Sequence, residues 1–152
     1  MITNLILKDF KIHSNLNIQL GNITLLTGQN GMGKSSVIQS LLLLRQSYTG
    51  VAPLAGLNLK GDLADLGIAN EVECHSYSDG VLNIQLEDDS ETLNFEFSYE
   101  DTDSYETYLP AINVENQNKD LSKCSLFTSN FQYLSAFRYG PQKGYERDTN
   151  VV

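Results

Sequence analysis

No apolar run in this 152-residue chain is longer than the four leucines at 41–44, far short of the roughly 20 residues a membrane-spanning helix needs. Lys8, Asp9 and Lys11 stand where a secretory leader would be apolar, so a cytoplasmic protein with no membrane partner is expected. Cysteine is scarce: Cys74 and Cys124 lack CxxC or Cys/His spacing and read as buried thiols rather than a disulfide or a metal site. Basic residues are missing altogether between 61 and 118, a stretch that holds 15 of the 19 acidic residues. The rest of the chain carries ten basic against four acidic residues, so the net charge of −9 conceals two electrically opposite parts. The acidic part reads as a solvated face that repels nucleic acid and steers any such contact elsewhere. Nowhere do aromatic residues interleave with a basic stripe, so the residues themselves give no support for direct nucleic-acid binding.

What is present is concentrated in one octapeptide. Residues 28–35 read Gly-Gln-Asn-Gly-Met-Gly-Lys-Ser, a full match to G-x-x-x-x-G-K-[ST]. A polyphosphate must be wrapped by backbone N–H groups that no side chain obstructs, which Gly28, Gly31 and Gly33 allow, with Gln29, Asn30 and Met32 between them. Lys34 sets a point charge where β- and γ-phosphates would lie, and Ser35 offers its hydroxyl to Mg²⁺. Both fall on the first turn of a helix whose N-terminus favours anions, and Ser36 adds a donor toward an α-phosphate. With Gly at about 7% of residues, the bare pattern arises by chance in roughly one chain per hundred of this length. Context strengthens it, because residues 23–27 form a β-favouring run before the loop and residues 36–45 an apolar helical run after it. ATP with Mg²⁺ is the expected ligand pair.

Around the loop, residues 5–10 and 16–20 read as short strands separated by a polar turn at His13-Ser14-Asn15. Residues 47–70 are irregular, with one helical turn expected near 63–66. From residue 71 the period becomes two: Val72, Cys74 and Ser76, then 81–86, then 93–99, an antiparallel meander with one apolar and one acidic face. A final strand is expected at 131–137. There is no internal repeat and no linker dividing two domains.

Lys8-Asp9-Phe10-Lys11-Ile12-His13, a second short strand, and the loop in the form Gln-Asn-Gly-Met-Gly-Lys-Ser-Ser together resemble the first lobe of SMC/RecF-like ATPases of the ABC superclass. Residues 37–46, 59–67 and 133–141 look like a bacterial subgroup of AAA-type ATPases; the resemblance spans most of the chain, with the phosphate loop its one highly specific motif. It implies an α/β P-loop lobe, with a mixed sheet around the phosphate-loop helix and an antiparallel β-arm at 71–99. On this view residues 1–152 are a single N-terminal ATP-binding lobe of a longer ATPase, its phosphate-loop region spanning 1–60. Lys11 and His13 match positions near the nucleotide in such heads, and Gln142 matches a glutamine that contacts magnesium and water.

Two elements that hydrolysis requires in this group do not occur in the sequence: a buried strand ending in Asp-Glu, and a Ser-Gly-Gly signature from a partner head. The resemblance therefore implies a second lobe of the same ATPase as partner and a head-to-head homodimer around two nucleotides, in settings that include nucleic-acid transactions. No catalytic residue is assigned within these residues. The alternative is a regulatory or sensor module whose bound nucleotide serves an attached effector domain. A small-substrate P-loop kinase is disfavoured, since its lid would need arginines where 61–118 has none.

Overall fold

Alternation of apolar and polar residues at period two builds most of this molecule. The computed structural model describes residues 1–50, 53–76, 79–88, 91–100, 103, 105–113 and 120–135. Its strands are β1 (Ile2–Phe10), β2 (His13–Gln19), β3 (Gly56–Asn58), β4 (Val81–Asp88), β5 (Thr92–Ser98) and β6 (Tyr108–Ile112). They form one six-stranded sheet in the order β2-β1-β4-β5-β6-β3, antiparallel at every pairing. Among the described residues helix α1 (Lys34–Ser47) packs on it, with the one-turn helix α2 (Ala69–Val72) and single-turn 3₁₀ helices at Leu121–Lys123 and Ser125–Phe127.

One sheet face is the core. Leu5 and Leu7 of β1, Leu82, Ile84 and Leu86 of β4, and Leu93, Phe95 and Phe97 of β5 are all buried there. Register makes this possible: Leu7 lies opposite Ile84, and Ile84 opposite Phe95, so the inward residues meet in rows across three strands. The same registers line up amides and carboxylates outside. Asn83 donates to Asn94 Oδ1 at 2.8 Å, Asn94 to Glu96 Oε1 at 3.2 Å, and Asn4 to Glu87 Oε2 at 3.0 Å. Helix α1 contributes Val37, Leu43 and Leu44 to the core, residues spaced for one side of a helix. Its C-terminal end is fixed where Tyr48 packs on Phe127, ring centroids 4.9 Å apart, and where Arg45 lies over the Phe131 ring.

Several expectations are corrected. The sheet is antiparallel rather than mixed among the described residues, and the stretch 71–99 contributes to it through one antiparallel hairpin. The hairpin β4–β5 within that stretch sits in the middle of the sheet, where its apolar face joins the core that β1 extends and α1 enters. Residues 71–76 form no strand: Val72 and Cys74 are buried, but through α2 and the turn after it. Residues 23–27 are likewise not a strand, and Ile23 and Leu25 are 92% and 82% exposed. No strand pairs with them among the described residues, and apolar sequence alone cannot satisfy backbone hydrogen bonds.

Residues 63–66 take no helical turn. The side chain of Gln46 donates to Ala64 O at 3.1 Å and accepts from Ala64 N at 2.9 Å, which holds that segment open. The first hairpin turns at Lys11-Ile12 rather than at 13–15, since His13 pairs with Phe10 as the first residue of β2. Residues 131–135 of the expected last strand form none, and Leu134 is 91% exposed; residues 136 and 137 lie outside the described residues.

Candidate functional site

The octapeptide forms a loop that its glycines permit. Gly28, Gly31 and Gly33 have φ of 143°, 84° and 76°, a region L side chains rarely adopt. Gly33 is the N-cap of α1 in the left-handed conformation, without a side-chain cap hydrogen bond, and no acidic residue occupies the first turn. The first-turn N–H groups thus face no carboxylate competitor within their own helix, which favours an incoming anion. The ammonium of Lys34 donates to the carbonyls of Gly28 at 2.8 Å and Gln29 at 2.6 Å, so the loop curls around it. Gln29, Asn30, Gly31, Met32 and Ser35 are exposed, whereas Ser36 is 7% exposed and turns toward the core.

The hairpin β1–β2 forms one wall of this loop. His13 Nε2 lies 3.1 Å from Gly33 O, and a Cβ on residue 33 would come within 2.3 Å of the same nitrogen. A groove of about 270 Å³ runs beside the loop, lined by His13, Leu16 and Ile18 of β2, by Leu25, Leu26 and Thr27, and by Met32, Gly33, Lys34 and Val37. No carboxylate is among these lining residues.

Lys11 lies one step further along the turn. Its Nζ donates to Gln39 Oε1 at 3.2 Å, and its half-buried position lowers its pKa from the ordinary lysine value, with Glu71 pulling the other way. The structure thus brings Lys11, His13 and the octapeptide together at the N-terminal end of α1. Gln142 lies outside the described residues. Gln39 was not singled out from sequence, although it stands four residues after Ser35 and hence on the same helix face. Among the described residues no group of three or more His, Cys, Asp or Glu side chains could hold a metal ion, so Ser35 remains the one magnesium candidate named from sequence that can be located.

A sheet with a helix entered through a three-glycine loop defines an α/β protein with an anion-ready helix N-terminus. The chain belongs to the AAA ATPase domain family, whose model matches residues 1–146. Membership carries nucleotide binding, with ATP and usually Mg²⁺ as the ligands of the family. The chain has no significant match among curated proteins. No helix among the described residues is long and apolar enough to cross a membrane.

Proposed function

We propose that residues 28–36 bind the phosphates of ATP·Mg²⁺, and that the chain acts as the nucleotide-binding lobe of an ABC/SMC-like ATPase. The observation that carries this is the uncapped, left-handed Gly33 opening α1 directly after two further positive-φ glycines. Backbone N–H groups of the loop and first helical turn would hold phosphate oxygens, Lys34 would neutralise their charge, and the exposed Ser35 hydroxyl would reach Mg²⁺. Magnesium held by Ser35 would supply further neutralisation of phosphate charge.

These residues hold and orient a triphosphate; they do not activate water. Among the described residues no carboxylate lines the groove beside the loop, and the sequence lacks an Asp-Glu pair. A phosphate grip that binds ground state and transition state alike lowers no chemical barrier. Hydrolysis on this reading needs a second lobe and a partner signature, with two heads closing around two nucleotides in the cytoplasm. The test is calorimetric titration of the chain with a non-hydrolysable ATP analogue and Mg²⁺, beside Lys34→Ala. Saturable binding that the substitution weakens roughly 10- to 100-fold is expected; equal binding by both proteins would overturn the phosphate-loop assignment. Steady ATP turnover by the chain alone, lost in Lys34→Ala, would overturn the need for a second lobe.

A further inference from the structure

We infer that the β1–β2 turn is a rigid bracket for the phosphate loop, and that His13 is the positioning residue through which it acts. This rests on the phosphate-binding reading above and adds a residue outside the octapeptide. A carbonyl only accepts, so at 3.1 Å from Gly33 O the Nε2 of His13 carries the proton and donates it. The same carbonyl accepts the first helical bond of α1, from Val37 N at 3.3 Å. Gly33 O and the N–H of Lys34 belong to one planar peptide unit and point in opposite directions. Holding that oxygen toward β2 therefore aims the Lys34 amide away from β2 and into the space the loop encloses. His13 need not touch a nucleotide to set the direction of a donor that does.

The bracket is built to hold still. Asp9 and Lys11 both sit at positive φ, 54° and 56°, conformations that non-glycine residues keep only where their surroundings enforce them. Here the enforcement is visible. Tyr99 Oη donates to Asp9 O at 2.9 Å, Cys74 N donates to Asp9 Oδ1 at 2.9 Å, and Lys11 N donates to Val72 O at 2.7 Å. From the other side Lys11 Nζ reaches Gln39 of α1 at 3.2 Å. The turn is thus anchored behind by β5 and the α2 segment, and in front it grips α1 at two points. Residue 33 fits against it with no spare room, because a Cβ there would lie 2.6 Å from His13 Cε1 and 2.8 Å from Ile12 Cδ1.

The experiment compares the wild-type chain with His13→Ala, His13→Gln and Lys34→Ala. Affinity for a non-hydrolysable ATP analogue with Mg²⁺ is measured by calorimetry, and amide hydrogen exchange at residues 34–37 is measured without nucleotide. Loss of one neutral hydrogen bond predicts roughly 3- to 10-fold weaker binding in His13→Ala, together with faster exchange at Val37, whose N–H is bonded to Gly33 O. Gln places an amide N–H near the imidazole Nε2 position, so His13→Gln should return both readings to within about twofold of wild type. A purely space-filling role would leave Gln no better than Ala, and that result overturns the inference. So does wild-type affinity in His13→Ala while Lys34→Ala binds at least about 10-fold more weakly. If no protein binds the analogue, the phosphate-binding reading fails and the exchange data alone decide the bracket: unchanged protection of Val37 in His13→Ala refutes it, and loss rescued by Gln upholds it.

Discussion

The hydroxyl of Tyr99, the residue immediately after β5, donates to the backbone carbonyl of Asp9 at 2.9 Å, at a residue whose φ is 54°. One side chain from just beyond the end of β5 thus secures the distorted end of β1. Tyr99→Phe should cost about 1–2 kcal/mol in urea unfolding near neutral pH, since a buried hydrogen bond is lost while the ring stays. Burial, then the charges of Asp9, Glu73 and Cys74, push the Tyr99 pKa far above its ordinary 10.0. A group whose folded pKa is raised gives its full stability below the unfolded pKa of 10.0 and loses it as pH climbs beyond. Wild-type stability should therefore fall more steeply than that of Tyr99→Phe above about pH 10, and parallel curves would refute this.

Gln46 is a second tie that crosses elements. From the last turns of α1 its side chain donates to Asn58 O at 2.7 Å and Ala64 O at 3.1 Å and accepts from Ala64 N at 2.9 Å. Gln46→Ala should lower stability by about 1–3 kcal/mol, because backbone groups of 58–64 lose their partners together. Gln46→Glu keeps the acceptor and loses both donations, setting a carboxylate against two carbonyls, and should be at least as damaging. Equal midpoints for wild type and Gln46→Ala in urea would show that water replaces these bonds at no cost.

Side-chain chemistry made the phosphate loop and the β4–β5 hairpin legible in the sequence. The glycines of 28–33 and the alternation of Leu82, Ile84 and Leu86 each carry their own physical reason, and both features lie where the residues put them. Residues 23–27 misled because an apolar run states only a preference; a strand also needs a partner for its backbone. Val72 and Cys74 misled by accident of spacing, since burial two residues apart arises equally from a short helix followed by a turn. The Lys11-Ile12 turn gave no sign at all. Lys11 occupies a positive-φ turn position that glycine usually holds, and only contacts from Val72 and Gln39, distant in sequence, make that tolerable. His13 as a neighbour of the loop was suggested by resemblance, but its contact with the Gly33 carbonyl was not.

Ile23 and Leu25 present two large apolar side chains to water beside the loop, at 92% and 82% exposure. Such residues drive association more than they aid folding of the chain itself. The double substitution Ile23→Ser with Leu25→Ser should leave the unfolding midpoint nearly unchanged and reduce self-association seen by light scattering at high concentration. A loss of more than about 2 kcal/mol would mean that these side chains are covered in solution.

Lys34 separates charge from shape. Its two bonds, to Gly28 O and Gln29 O, are solvent-exposed and add little to global stability, so Lys34→Ala should keep a thermal midpoint within about 3 °C of wild type. Its affinity for an ATP analogue should fall roughly 10- to 100-fold, the range expected for losing a charge-assisted hydrogen bond. Lys34→Arg is the sharper probe. The guanidinium keeps the charge but is planar and wider than an ammonium, and the loop that closes around Nζ within 2.8 Å of two carbonyls has been fitted to the smaller group. Arg should recover less than half of the lost binding free energy by calorimetry. Full recovery would show that charge alone holds the phosphates and that curling of the loop around its lysine plays no part.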